Sequence, residues 1–404
     1  MTINRRQLTG SLGVLILSAM SGNALSSSVK GSKNKLDSIS LYMVNVTKAR
    51  NFSHSTWHNR QHLFIAMKSG EHTGWAEVLA SKNDLNFDIA NWGSFMKPLI
   101  GSGIDEAIEF GRKEYFAGNW NAKTSEPALM GLYDLMGKIA NKPTIDIWGL
   151  TGNKPVPAVF TILEREVDKA LEQAATAKEQ GLTSHVKVKL FGEFELDLQL
   201  ITAMREFFGK DTKIIGDPNR GYKHLNSIDE VAEAMIKLNE AGMDAVEDPS
   251  ELDKAGWIEL ESKVGKLALV PDHIMRPAHK GIDIFSPDMG SYFNLHPNTM
   301  GTYVELNKLA SKIKESGKGL MVGDSSLIGP ACTFWQQIAI GNGAAWVEAI
   351  EKPQESDVLS KCVEVISTKL NQQGEIELVK KNPGFGLAIN ESKLKELSDK
   401  YATV

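Results

Sequence analysis

Between residues 155 and 350, eight short runs of β-branched or apolar residues recur, at 156–163, 185–190, 213–217, 245–247, 268–272, 292–296, 319–323 and 345–350. Amphipathic stretches lie between them, among them 167–180, 195–208, 228–241, 302–316 and 330–340. Strands alternating with helices at about 25 to 30 residues per unit predict a parallel sheet, and eight units predict a closed (β/α)8, TIM-like barrel rather than an open doubly wound sheet. No Gly-x-Gly-x-x-Gly or Walker-type loop follows any run, which disfavours a dinucleotide or nucleoside triphosphate site.

The residues before the barrel read differently. Strand-like runs at 39–46 and 62–68 are followed by Gly74-Trp75-Ala76-Glu77, which closes a short meander, and helical periodicity takes over at 104–116 and 126–140. The expectation is an α/β protein of two domains: a small α+β domain over 35–150 and the barrel over 155–363. The tail 364–404, which carries Pro383-Gly384-Phe385-Gly386 and a final helix, is expected to return to the first domain. A chain of 404 residues is long enough for both to bury a core.

Arg5-Arg6, an apolar stretch over 8–20 and the small residues around Ala24-Leu25-Ser26 read as an export signal over 1–30, of the twin-arginine kind, which places the mature protein in the periplasm. A plain secretion signal or an uncleaved anchor are the alternatives. A net charge of −5 with no basic run argues against nucleic acid or an anionic membrane as partner and leaves small molecules. Cys332 and Cys362 have no ligand spacing around them and are expected to be buried thiols rather than a disulfide.

In a parallel barrel the carboxyl ends of the strands open into one mouth, so charges there converge from distant positions. Strand two ends Lys187-Val188-Lys189, and the period of two puts both amines on one side. Asp217, Glu247 and Asp272 end strands three, four and five. Each alone reads as a helix cap, but three oxygen ligands from consecutive strands suit Mg2+ far better than zinc, which prefers His or Cys.

The series Lys-x-Lys, Asp-x-Asn, Glu-Asp-Pro and Asp, with the Gly-Trp-Ala-Glu turn and the Pro-Gly-Phe-Gly tail, resembles the mandelate racemase and muconate lactonising enzyme family of the enolase superfamily, over nearly all the chain beyond the first thirty residues. The resemblance implies a capping domain over a modified barrel, Asp217, Glu247 and Asp272 as Mg2+ ligands, Lys189 as the base at the α-carbon of a carboxylate, and Lys187 as its tuner or a carboxylate anchor. It also implies assembly into a homo-oligomer. Removing such a weakly acidic proton requires the forming enediolate to be neutralised, which a divalent cation does. Asn219 is placed to hydrogen-bond a strand-two lysine.

Departures from the family bear on the reaction. His296 stands before Gly301 where other members carry a second lysine or an aspartate, and Gly323-Asp324-Ser325-Ser326 replaces a strand-seven histidine. His296 reads as a second acid or base, a substrate contact or a structural residue; Asp324 reads as its orienter, a contact to a substrate hydroxyl or a loop cap. His273 is an alternative ligand to Asp272. Glu348, in Trp346-Val347-Glu348, resembles the glutamic acid that hydrogen-bonds the enediolate in racemase-like members. The donor-rich loop over 50–58, with Arg50 and His54, is expected to contact a polyhydroxylated acid. Dehydration or epimerisation of a hydroxy or sugar acid is the leading expectation, cycloisomerisation the next. A solute-binding module with two hinged lobes and an inactive barrel are the readings from other classes.

Overall fold

The structure, a computed structural model, describes residues 34–404, so the expected export signal lies outside the described residues. All eight barrel strands are present: Val159–Ile162, His185–Lys189, Lys213–Asp217, Ala245–Glu247, Ala268–Val270, Tyr292–Leu295, Gly319–Val322 and Trp346–Val347. Parallel ladders join strands one to five and six to eight. The two sheets connect where Ser291 N donates to Leu269 O at 3.0 Å and Asn294 N to Pro271 O at 3.1 Å, and a parallel bridge between Ala158 and Val347 closes the ring. Two hinged lobes, as a solute-binding module would have, are not found among the described residues.

The lumen explains where the charges go. Val159, Ile215, Ala245, Val270, Met321 and Trp346 form a buried apolar plug inside the ring. Side chains two places further along a strand point the same way, one layer nearer the carboxyl ends. Those residues are Thr161, Asp217, Glu247, Asp272, Gly323 and Glu348, so the alternation that fills the core also delivers four carboxylates above it.

Ahead of the barrel, Ser38–Val46, Arg60–Ser69 and His72–Lys82 form an antiparallel sheet, and the chain end returns as Lys400–Thr403 beside Ser38–Val46. The Gly-Trp-Ala-Glu segment lies inside the long strand His72–Lys82 instead of in a turn. Helices Ile104–Phe116 and Ala122–Ile139 cover the sheet, packing Ala128, Leu132 and Leu135 into one core with Leu63, Ile65 and Met67. The two end motifs meet at the buried Asp134, whose carboxylate accepts from Trp75 N at 2.8 Å and Phe385 N at 2.7 Å. Two glycines make this approach possible. A Cβ on Gly74 would stand 2.2 Å from Gly131 O, and one on Gly384, at φ +67, would stand 2.2 Å from Asp134 Oδ1.

Candidate active site

Buried carboxylates tie the capping layer to the barrel mouth. Glu77 accepts from the backbone N–H of Ile328 at 2.9 Å, Gly329 at 2.8 Å and Ala331 at 3.2 Å, at the start of helix Pro330–Asn342. A carboxylate there also opposes the positive end of the helix dipole. Glu126, on helix Ala122–Ile139, accepts from Asn298 N and, at 3.0 Å, from Met300 N, and so holds the loop after strand six. Burial pushes this carboxyl up to about 8, against the pull of those N–H groups.

The mouth encloses a pocket of about 290 Å³. On its wall stand Lys187, Lys189, Asp217, Asn219, Glu247, Asp272, His296, Asp324, Glu348, Arg50 and His54, the residues assigned from the sequence, and with them the alternative ligand His273. Lys187 Nζ lies 2.9 Å from Asp217, 2.6 Å from Glu247 and 2.9 Å from Glu348. Burial works against its charge, but the three carboxylates outweigh it and raise its pKa well above the ordinary lysine value. Lys189 Nζ contacts Asp217, donates to Asn219 Oδ1 at 3.0 Å, and stands 5.4 Å from the Phe52 ring centre. Burial pushes Asp217 up, and the two ammonium groups more than reverse this. Glu348 is driven up to about 7 by burial and by the charge of Glu247, with Lys187 opposing.

The other assigned residues are held more tightly than their sequence context suggests. Arg50, expected to contact substrate, gives its donors to Glu355 at 2.9 Å and Asp324 at 3.4 Å and is 5% exposed. It anchors the 50–58 hairpin to the barrel. Asp324 caps Leu327 N at 2.9 Å and pairs with Lys352 at 3.2 Å; it is not the hydrogen-bond partner of His296. His296 Nδ1 is 2.8 Å from Pro297 O. A carbonyl only accepts, so Nδ1 carries the proton and Nε2 is left as an acceptor. Burial first, and then the charge of Arg276, lower its pKa well below the usual value.

Four residues that bear on the site were missed. Asn294 Nδ2 donates to Glu247 Oε1 at 2.9 Å, and its position two before His296 on one strand could have revealed it. Asp248 orients the strand-five turn by accepting from Asp272 N and His273 N, both at 3.0 Å. His273, whose backbone makes the second of these contacts, also lines the pocket. Arg276 Nε donates to Asp272 Oδ1 at 2.7 Å, and Arg220 lines the mouth. Neither arginine has a sequence signal, since both lie in loops.

The donor set suits a hard divalent cation: three carboxylates, all oxygen, each at most 2% exposed, from consecutive strands. Among the described residues no three such side chains already close on one point, because Asp217 and Glu247 face Lys187 while Asp272 faces Arg276.

Comparison with known proteins gives the arrangement its context. The family described as enolase C-terminal domain-like matches residues 169–393, more than half of the chain. Muconate cycloisomerase 1 of Acinetobacter baylyi is 21% identical over 315 residues, 76% of this chain and 82% of that protein. Arabinonate dehydratase of Saccharolobus solfataricus is 25% identical over 187 residues, 44% of this chain and 48% of that one. Among solved structures, a dipeptide epimerase from Cytophaga hutchinsonii, complexed with Mg and a dipeptide, superposes with a TM-score of 0.76 at 18% identity, over 92% of this chain and 100% of that chain. With the family match covering barrel strands two to eight and the same fold over 92% of the chain, the chain belongs to the mandelate racemase and muconate lactonising enzyme family of the enolase superfamily.

Proposed function

We propose that this protein is an Mg2+-dependent enzyme that removes the α-proton of a small hydroxy or sugar acid. The observation that carries this reading is the meeting of Lys187 and Lys189 on Asp217, in a pocket walled by Glu247, Asp272 and Glu348. Asp217, Glu247 and Asp272 would hold the cation, whose charge would stabilise the substrate carboxylate as its α-carbon becomes carbanionic. Lys187, kept as an ammonium by three carboxylates, neutralises further charge. Lys189, oriented by Asn219, takes the α-proton. Glu348, with its pKa near 7, donates a hydrogen bond to the charge growing on the substrate carboxylate.

Loss of the β-hydroxyl follows in this reading. The α C–H electron pair becomes the new double bond, the C–O bond breaks, and the hydroxyl leaves as water with a proton returned by Lys189. Thr161, Asn219, Asn298, Thr299, Ser325 and Ser326 line the pocket and suit a polyhydroxylated substrate. Epimerisation is the second reading, favoured by the neutral His296, whose free Nε2 can serve as a base on another face. We further propose, from Arg5-Arg6 and the apolar stretch after them, that the protein works outside the cytoplasm.

The test is solvent-deuterium exchange at the α-carbon, followed by NMR over a library of sugar acids with Mg2+ and after chelation. The wild type should exchange the proton and eliminate water or invert the centre. Lys189→Ala should lose about 10³-fold or more of the exchange. Exchange that survives Lys189→Ala, or that persists without the cation, overturns the assignment.

A further inference from the structure

Asn298 lies on the pocket wall, in the loop that follows barrel strand six and two residues beyond His296, and is 2% exposed. Both polar atoms of its amide are buried, and neither has a hydrogen-bond partner among the described residues. Such an amide is costly, because it gives up its bonds to water and gains none in return. The backbone is costly as well. Its φ of 62 lies in the left-handed region, where the Cβ of an L-residue crowds the following carbonyl.

The capping domain imposes this conformation. Asn298 N and Met300 N donate to the two carboxyl oxygens of Glu126, Ser125 Oγ donates to Gly301 O at 2.8 Å, and Tyr303 OH donates to Glu126 O at 3.1 Å. These bonds to helix Ala122–Ile139 pin the loop backbone and leave the Asn298 side chain as the part that can turn. Strained residues with unmet hydrogen-bond groups persist where the surroundings over-determine them, and at the edge of a cavity the strain serves binding. Glycine would adopt the same φ without strain and leave nothing unpaired. What asparagine adds over glycine at this position is an amide, with donor and acceptor side by side.

An uncharged amide does not select a carboxylate or an ammonium group. Its adjacent donor and acceptor match a hydroxyl, which also does both. Strand six stands across the eight-strand ring from strand two, the strand that carries Lys189. We propose that Asn298 is a specificity-determining residue whose amide turns into the pocket on substrate binding and exchanges hydrogen bonds with a hydroxyl on the part of the acid facing away from Lys189. The hydroxy-acid reading above supplies the substrate class on which this rests; the proton transfer at Lys189 is not needed for it.

Asn298→Gly is the test, because glycine keeps the left-handed backbone and the N–H donated to Glu126 while removing the amide. Urea unfolding of the full chain without substrate should give the variant a midpoint no lower than that of the wild type. Calorimetric titration with Mg2+ then compares five- and six-carbon aldonic acids with their singly deoxygenated analogues. The wild type should bind at least one aldonate about tenfold more tightly than one such analogue. Asn298→Gly should lose that preference while binding the analogue within about twofold of the wild type. A lower midpoint assigns the amide a structural role and overturns the proposal. A preference that survives in the variant, an equal loss for the aldonate and every analogue, and a wild type with no preference or no aldonate binding overturn it too. A preference lost in Asn298→Gly, without deuterium exchange for any acid, upholds Asn298 and removes the α-proton reading. Exchange without that preference does the reverse.

Discussion

Arg276 holds Asp272 with a two-pronged contact, Nε to Oδ1 at 2.7 Å and a terminal nitrogen to Oδ2, so a guanidinium covers both oxygens of the carboxylate proposed as third metal ligand. A cation that binds Asp272 has to displace or share this partner, and the competition costs affinity. Arg276→Met should therefore tighten Mg2+ binding by about tenfold, about 1.4 kcal/mol. Calorimetric titration of the metal alone measures it, and unchanged or weaker binding refutes the competition.

Lys187 neutralises Asp217, Glu247 and Glu348 in a site where it is itself 4% exposed. Removing one partner of a buried ion pair leaves charge without compensation, at about 3 to 5 kcal/mol. Lys187→Met, studied by urea unfolding without divalent cations, should show a loss of that order. A change below about 1 kcal/mol would mean that the carboxylates find other partners or take up protons.

Glu77 connects the capping sheet to the strand-seven loop by three backbone hydrogen bonds. Gln at this position keeps the shape but loses the charge and one acceptor, so Glu77→Gln should destabilise by about 2 kcal/mol. Thermal unfolding should show a lower Tm, and Lys187 contacts should be unaffected. An unshifted Tm argues that water replaces the carboxylate.

Glu126 sets a pH dependence. Its carboxyl is raised by burial from an ordinary 4.5 to about 8, so the folded state holds a proton more tightly than the unfolded one. The resulting stability is complete below about 4.5 and is lost as pH rises through about 8, by an amount of order a few kcal/mol. Comparing Tm between pH 5 and 8.5, Glu126→Gln should be less stable at low pH yet flatter across the range. A wild-type slope retained in the variant would assign the pH effect to another group.

Much of the site was legible from strand ends because a β-strand has a period of two. Lys187 and Lys189 share a face, and Asp217, Glu247 and Glu348 each stand two residues beyond a plug residue of the same strand. Asn294 obeys the same rule but was overlooked as an uncharged residue inside a strand. Arg276 and Arg220 could not be placed this way, since loops have no fixed direction relative to the lumen.

Local pattern by itself determined the eight-fold alternation, the mouth on which the carboxylates gather and the set of side chains able to do the chemistry, because periodicity and residue type are properties of neighbours in the chain. The pairing of those side chains was decided only by the tertiary structure. Arg50 pairs with Glu355 at the pocket wall, His296 with its own neighbouring carbonyl instead of Asp324, and Asp272 with Arg276. The first joins residues 305 apart, and even the two short-range pairings depend on which groups the surrounding fold desolvates together, a competition that periodicity does not encode.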